Sequence, residues 1–194
     1  MEELRKENLN TSEQDKVSTW KSNWYVLYVQ TGKEDSIAER CKNIIDNNIL
    51  KRVFVPKYQT MIQIRSVWET RESILFPGYV FLETEDIRSV FFMLKKLPFF
   101  NVLLGKEDEM FQPISKREKA RLKQFLNDED VIATSVGYKV GEKIEIVKGP
   151  LVGHVGEIKK INRHKRLAWV EMEMCGRVVA IELGLEVLNG KEAE

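Results

Sequence analysis

Residues 76–83 read FPGYVFLE, a tight turn that leads directly into a short apolar stretch. Proline fixes φ at the first central position of a turn, and glycine accepts the positive φ that the second position requires. Tyr79 and Phe81 are two residues apart, so their rings share one face of a strand expected at 79–83. The segment therefore predicts a strand that begins at a turn and carries aromatic side chains beside it.

The chain before this turn predicts a strand, a helix, a second short strand and a hairpin. Thr31 as N-cap and Glu34 three residues later have the spacing of a capping box, so a helix is expected to begin here. Its apolar residues recur at helical spacing on one buried face: Ile37, Cys41, Ile44 and Ile45. The expected extended segments are 24–29, 53–55, 61–67 and 72–76, with Trp68 near the tip of the hairpin.

The chain after the turn predicts two further helices and a strand. Thr84 is expected to cap the first helix, which has acidic residues at its positive end. Ser115 and Glu118 have the spacing of a second capping box, and this helix is expected to run to about Leu126. Between the two helices, a strand is expected at 100–104.

The order of these elements predicts an α+β domain in which helices pack on an antiparallel sheet. After an acidic stretch, short strands separated by glycine indicate a small all-β barrel. The expected barrel strands are 143–147, 155–161, 167–174, 177–183 and 186–188. The expected division is a disordered tail at 1–22, the α+β domain at 23–126, a linker at 127–136 and the barrel at 137–190.

Composition restricts the class of protein. The net charge is +1, so any nucleic-acid partner must be recognised by a local cluster. The two cysteines are far apart, and the N-terminus has no apolar core of a signal peptide; we expect a cytoplasmic monomer with no membrane partner. The glycines at 149, 153 and 156 do not fit a phosphate-binding loop, and no metal-ligand or catalytic spacing occurs. We expect no enzyme activity, no cofactor and no metal.

Three motifs resemble the NusG family of transcription factors. They are WYVLY at 24–28 with Gly32 after it, FPGYVF at 76–81, and GPL at 149–151 followed by Gly153 and Gly156. The first two resemble the family's N-terminal NGN-type domain, and the third resembles the KOW motif of its SH3-like C-terminal barrel. The resemblance implies an elongation or antitermination factor that acts by binding.

The resemblance also implies a polymerase surface. The family's N-terminal domain binds the clamp helices of the large subunit of bacterial RNA polymerase through an aromatic depression, and Tyr28, Phe76, Tyr79 and Phe81 match it. The start of the family's second helix faces the gate loop of the polymerase, where Arg88 and Ser89 stand here. The alternative is that the four rings belong to the core.

A basic loop distinguishes the barrel. Residues 159–166 hold five Lys or Arg residues and no acid, which is typical of nucleic-acid binding. The candidate RNA- or DNA-binding residues are Lys148, Lys159, Lys160, Arg163, His164, Lys165, Arg166, Trp169 and Arg177. His164 or Trp169 could stack on a splayed base. The alternative is a solvated hairpin without a partner.

The basic loop favours a specialised antiterminator of the LoaP or RfaH kind, recruited by an RNA hairpin. In housekeeping members, the loop matched here by Met174–Arg177 docks a small-subunit ribosomal protein or the termination factor Rho, and Cys175 departs from the aromatic or larger apolar residue common there. A ribosome-associated KOW protein is a further alternative. Glycines and β-branched runs disfavour an alternative helical form, so we expect a stable barrel.

Overall fold

The computed structural model describes residues 22–95 and 111–189. Three helices lie in these ranges: α1 (Glu34–Ile44), α2 (Ile87–Lys95) and α3 (Lys116–Phe125). The first strands are β1 (Asn23–Tyr28), β2 (Leu50–Phe54), β3 (Lys57–Ile64), β4 (Val67–Ile74), β5 (Tyr79–Thr84) and β6 (Val131–Ile132). The barrel strands are β7 (Ser135–Val140), β8 (Lys143–Lys148), β9 (Ile158–Asn162), β10 (Leu167–Met174) and β11 (Arg177–Asn189). The predicted strand 100–104 lies outside the described residues, as does the predicted tail except for Ser22.

The N-terminal domain is built on an antiparallel sheet in the order β1–β5–β2. Alternate residues of β1 and β5 pack toward α1 and α2, including Leu27 and Val80. The opposite face, with Trp24 and Phe81, packs against α3. Both faces of the sheet are therefore covered, as an α+β domain requires. The predicted fold class is confirmed.

Local signals located one helix start correctly and two incorrectly. The capping box of α3 is confirmed, because Ser115 Oγ accepts the Glu118 N–H at 3.1 Å and the Glu118 carboxylate accepts the Ser115 N–H at 2.6 Å. The Thr31–Glu34 capping box is wrong, because α1 begins at Glu34 with Lys33 as its N-cap. Thr84 does not cap α2; the Asp86 side chain accepts the Ser89 N–H at 3.1 Å instead.

The hairpin β3–β4 projects from the N-terminal domain as part of a second sheet. Its turn is Arg65–Ser66, and both residues have positive φ, 48° and 69°. The β6 strand pairs in parallel with the start of β3. Part of the expected linker at 127–136 is therefore strand, because Val131 and Ile132 are buried against the hairpin.

The C-terminal domain is a five-stranded sheet in the order β8–β7–β11–β10–β9. Its first strand, β7, was not predicted, and β11 replaces the two strands expected at 177–183 and 186–188. Gly184 does not break β11. A Cβ at this position would meet the Gln59 carbonyl oxygen and the Thr134 side chain, so the glycine permits close approach of β3.

The two domains pack against each other across one continuous apolar cluster. The cluster includes Trp24, Phe54 and Phe81 of the sheet, Leu122 and Phe125 of α3, and Ala168, Val170 and Leu183 of the barrel. Two hydrogen bonds tie β3 to the barrel side, from Tyr58 Oη to Glu182 Oε2 at 3.3 Å and from Thr134 Oγ1 to the Gln59 carbonyl at 3.2 Å. None of the three helices in the described ranges is long and apolar enough to cross a membrane.

Candidate functional site

Two tyrosines form an exposed pair where β1 ends and β5 begins. Tyr28 and Tyr79 are register partners, and their ring centroids are 5.8 Å apart in an edge-to-face arrangement. Tyr28 is 52% exposed, and Tyr79 is partly exposed while it packs on the core cluster. Large rings held at the end of paired strands present a rigid apolar surface with polar tips.

The turn 76–79 fixes the geometry of this pair. The Tyr79 N–H donates to the Phe76 carbonyl at 3.2 Å, and Gly78 has φ of 86°, so the predicted turn is confirmed. The Val29 N–H donates to the Gly78 carbonyl at 2.7 Å. A Cβ at Gly78 would stand 3.4 Å from the Tyr28 ring, an ordinary contact, so the positive φ rather than the ring is what favours glycine here.

A buried carboxylate holds the turn from below. Glu34 is almost fully buried at the start of α1. Its two oxygens accept the Gly78 N–H and the Gly32 N–H, each at 2.7 Å. The spacing of Thr31 and Glu34 did not reveal this role, because it is also the spacing of a capping box. A signal was present: Glu34 lies three residues before Ile37, on the buried face of the helix.

Two of the four predicted contact rings lie in the core. Phe81 is fully buried, with its ring centroid 5.4 Å from that of Phe54 and 5.9 Å from that of Phe76. Phe76 is also buried. The expectation that Phe81 and Phe76 touch a partner is therefore corrected. Alternation places Tyr79 and Phe81 on one face of β5. This face is covered from Phe81 onward, and only Tyr79 at its start is partly exposed. The two phenylalanines belong to the core on which Tyr79 packs.

Arg88 and Ser89 lie on the opposite side of the sheet. The core-facing residues of α2 pack on the cluster that includes Leu27 and Val80, whereas Tyr79 packs on the other cluster. Ser89 Oγ donates to Asp86 Oδ2 at 2.5 Å. These hydrogen bonds from the Ser89 hydroxyl and N–H lower the pKa of Asp86. Both donors of Ser89 are therefore used in capping the helix. Arg88 is exposed, and Phe92 one turn later is 64% exposed.

The β9–β10 turn exposes three of the predicted nucleic-acid residues. Arg163, His164 and Lys165 are all exposed. Asn162 Oδ1 accepts the Lys165 N–H at 2.9 Å, which orders the turn. Arg163 donates to Asn189 Oδ1 at 2.7 Å. The predicted hairpin is confirmed, and it projects adjacent basic groups from one tight turn.

Three further predicted residues lie beside this turn with partners of their own. The Lys160 ammonium is 5.2 Å from the centre of the Trp169 ring. Trp169 Nε1 donates to Glu182 Oε1 at 3.2 Å, and Glu182 also accepts the Tyr58 hydroxyl from the N-terminal domain. Lys159 forms an exposed ion pair with Glu171 at 3.1 Å. Exposed pairs of this kind contribute little to stability, so Lys159 can exchange its partner.

Arg166 differs from the other basic residues of the turn. Its guanidinium lies 3.8 Å from the centre of the Trp68 ring of β4. The same group donates to Met61 Sδ at 3.1 Å and pairs with Glu186 at 2.7 Å. Arg166 is therefore engaged between the two domains, and its predicted contact with nucleic acid stays a prediction.

Lys148 and Arg177 are not brought to the basic turn. Lys148 ends β8, at the opposite edge of the sheet from β9. Arg177 begins β11 at the far end of the β10–β11 hairpin, about 25 Å along an eight-residue strand from Leu167. Two of the nine predicted nucleic-acid residues therefore lie away from the basic turn.

The turn between β10 and β11 contacts α3. Cys175 and Gly176 both have positive φ, and the Gly176 N–H donates to Glu118 Oε1 at 3.0 Å. Burial alone would raise the pKa of Glu118, but hydrogen bonds from the N–H groups of Gly176 and Ser115 outweigh it and lower that pKa. One carboxylate thus caps α3 and holds the barrel turn.

These features define a two-domain protein in which an α+β sheet domain with an exposed ring pair precedes a small β-barrel with a basic turn. Residues 22–123 match the family model described as transcription termination factor nusG, and residues 140–173 match the KOW motif. Since the first match spans more than half of the chain, the chain belongs to the NusG family.

Relatives from several bacteria align over most of the chain. The transcription termination/antitermination protein NusG of Haemophilus influenzae is 27% identical, with 84% of this chain and 91% of that protein covered. The protein of the same name from Bacillus subtilis is 22% identical, with 83% and 94% covered. The solved structure described as domain interaction in Thermotoga maritima NusG has a TM-score of 0.52 at 22% identity, covering 84% of this chain and 94% of that one. The fold is therefore shared along nearly the whole described chain.

Proposed function

We propose that this chain is a transcription elongation and antitermination factor that binds RNA polymerase through its N-terminal domain and makes or breaks no covalent bond. The observation that carries the proposal is the exposed Tyr28–Tyr79 pair, held from below by the buried Glu34 carboxylate. Rings fixed in this way lose little conformational entropy on binding and are typical anchors of protein interfaces. In this proposal, the ring pair contacts the clamp helices of the large polymerase subunit.

A second contact would allow the domain to bridge the polymerase cleft. Arg88 and Phe92 are exposed on α2, on the other side of the sheet from the ring pair. A rigid domain that touches both sides of a cleft binds the closed conformer more tightly than the open one. Such differential affinity shifts the polymerase toward active elongation. A tenfold preference would supply about 1.4 kcal/mol.

The barrel is proposed to bind nucleic acid, with RNA as the favoured class. Residues 159–169 contain no acid, and the β9–β10 turn exposes Arg163, His164 and Lys165 together. Clustered cations displace counterions from phosphates, and the resulting affinity depends on salt. This surface supports a specialised cytoplasmic antiterminator recruited by a leader RNA. In the housekeeping alternative, residues 174–177 would dock Rho or a ribosomal protein.

Co-purification tests the main proposal against its alternatives. The tagged full chain is expected to retain core RNA polymerase from purified components, because the ring pair provides its principal contact. Retention of ribosomal subunits without polymerase would favour a ribosome-associated KOW protein. Retention of neither would contradict a polymerase-binding factor.

Transcription in vitro tests the specialised role. On a template with a terminator, the chain is expected to raise read-through more strongly when a candidate leader RNA precedes the terminator. Equal effects with and without the leader would favour the housekeeping role. A lowered read-through at Rho-dependent sites alone would assign the barrel to Rho.

A further inference from the structure

Two acid-free segments from different domains carry a shared excess of positive charge. Residues 62–68 read IQIRSVW and residues 159–169 read KKINRHKRLAW, and together they contain six Lys or Arg residues and no Asp or Glu. The first segment forms the tip of the β3–β4 hairpin, and the second forms the β9–β10 turn. Nothing in the local sequence indicates that the two would meet.

The structure joins these segments through one arginine. The Arg166 guanidinium lies 3.8 Å from the Trp68 ring centre and 3.1 Å from Met61 Sδ, both on one face of the hairpin. Arg65 lies in the two-residue hairpin turn, and Trp68 is the second residue of the strand that leaves it. Arg65 and the exposed residues Arg163 to Lys165 therefore belong to the two segments that meet at this contact between the domains.

We propose that the nucleic-acid surface of the barrel continues onto the β3–β4 hairpin, so that both domains form one composite site for a single RNA strand. This inference rests on the proposed nucleic-acid binding by the barrel and extends it. Arg65 and the barrel cations neutralise successive phosphates on either side of the junction. Trp68, with the Arg166 guanidinium over its ring, offers an aromatic surface on which an unstacked base can pack.

The surroundings of the junction fit a nucleic-acid strand. Ile64 and Val67 flank the hairpin turn and are both exposed, which supplies apolar surface beside the cations. Glu69 follows Trp68, but side chains alternate along a strand, so its carboxylate faces the opposite side of the hairpin. Glu186 pairs with the same Arg166 guanidinium that lies over the indole.

Removal of the Arg65 charge tests the composite site in the full chain. Asparagine tolerates the positive φ of this position, so Arg65→Asn preserves the turn. The probe is a fluorescein-labelled oligo-uridine of about 16 nucleotides, titrated by anisotropy at several salt concentrations. We expect binding to weaken roughly fivefold, and the slope of log K against log salt to fall by about 0.7. The matched control Arg71→Gln, on the opposite face of β4, should change neither quantity.

Two further variants distinguish the possible failures. Trp68→Ala should also weaken binding; tighter binding would mean that the domain contact covers the RNA site, and it would overturn the composite site. If Arg163→Gln with Lys165→Gln weakens binding while Arg65→Asn does not, the barrel binds RNA alone and the composite site is wrong. If none of these variants alters binding, the assigned nucleic-acid site on the barrel is wrong. If the wild type shows no salt-dependent binding, the proposed nucleic-acid function itself fails. Oligo-deoxythymidine of equal length, if bound equally, would contradict RNA as the ligand.

Discussion

Two pairs of aromatic residues in this protein have different surroundings, although their local sequences do not distinguish them. Tyr28 and Tyr79 contact each other and leave much of their surface to solvent, whereas Trp68 and Trp169 are bound to groups at the contact between domains. Both groups lie on strands beside tight turns. They differ in whether a distant segment of the chain packs against the ring. Whether an aromatic side chain is available to a partner is therefore decided by long-range packing rather than by residue type.

The largest expected effect comes from the support beneath the tyrosines. Glu34→Ala removes the acceptor for the N–H groups of Gly32 and Gly78, and at least one becomes a buried donor without a partner. The free energy of unfolding should fall by about 3 kcal/mol. Urea denaturation of the full chain measures it.

The neighbouring acid provides a matched control for this prediction. Asp35 is exposed and forms an ion pair with Lys57 at 3.1 Å. Asp35→Ala should cost no more than about 0.5 kcal/mol. Equal losses for the two variants would show that Glu34 is not the specific support of the turn.

A smaller effect is expected where the domains approach each other. Gly184→Ala places a methyl group against the Gln59 carbonyl and the Thr134 side chain. The strain should lower the free energy of unfolding by about 2 kcal/mol or separate the barrel from β3. Gly156→Ala is the control, since a Cβ there meets nothing within 4 Å. Unchanged stability together with an intact domain contact in Gly184→Ala would contradict the close approach.

The smallest effect concerns the carboxylate that joins α3 to the barrel. Glu118→Gln should lower the free energy of unfolding by about 1 kcal/mol at neutral pH, because a charged cap becomes a neutral one. The pKa of Glu118 is lowered in the folded state, so its contribution is present above the usual pKa of glutamate and is lost as the pH falls through the folded pKa. The wild type and the variant should therefore converge in acid.

Thermal unfolding across a pH series measures this convergence. Glu173→Gln, an exposed barrel acid, should follow the wild type throughout. A constant difference between Glu118→Gln and the wild type at all pH values would mean that the charge of Glu118 does not contribute.

Local patterns predicted the elements that local forces determine. The turn at Pro77–Gly78, the Ser115–Glu118 capping box and the β9–β10 hairpin all follow from residues within a few positions of one another. The fold class followed from their order.

Features that depend on distant residues could not be predicted in this way. Gly184 resembled a strand break. Instead, the absence of a side chain there allows β3, more than one hundred residues away in sequence, to pack closely against β11. Arg166 resembled its basic neighbours until Trp68 was placed against it. Phe81 shares its strand face with Tyr79, and packing from α3 and the barrel makes the two residues different. In each case, the local sequence did not show which distant element packs against the residue.

The most direct test of the central claim is retention of core RNA polymerase by the full chain carrying Tyr28→Ala and Tyr79→Ala. The variant should unfold at nearly the wild-type temperature, because Tyr28 is exposed and Tyr79 is partly so. Tyr138→Ala, at a partly exposed position in the barrel, is the control. We expect the double variant to lose polymerase while the control retains it. A folded double variant that binds polymerase as well as the wild type would contradict the account.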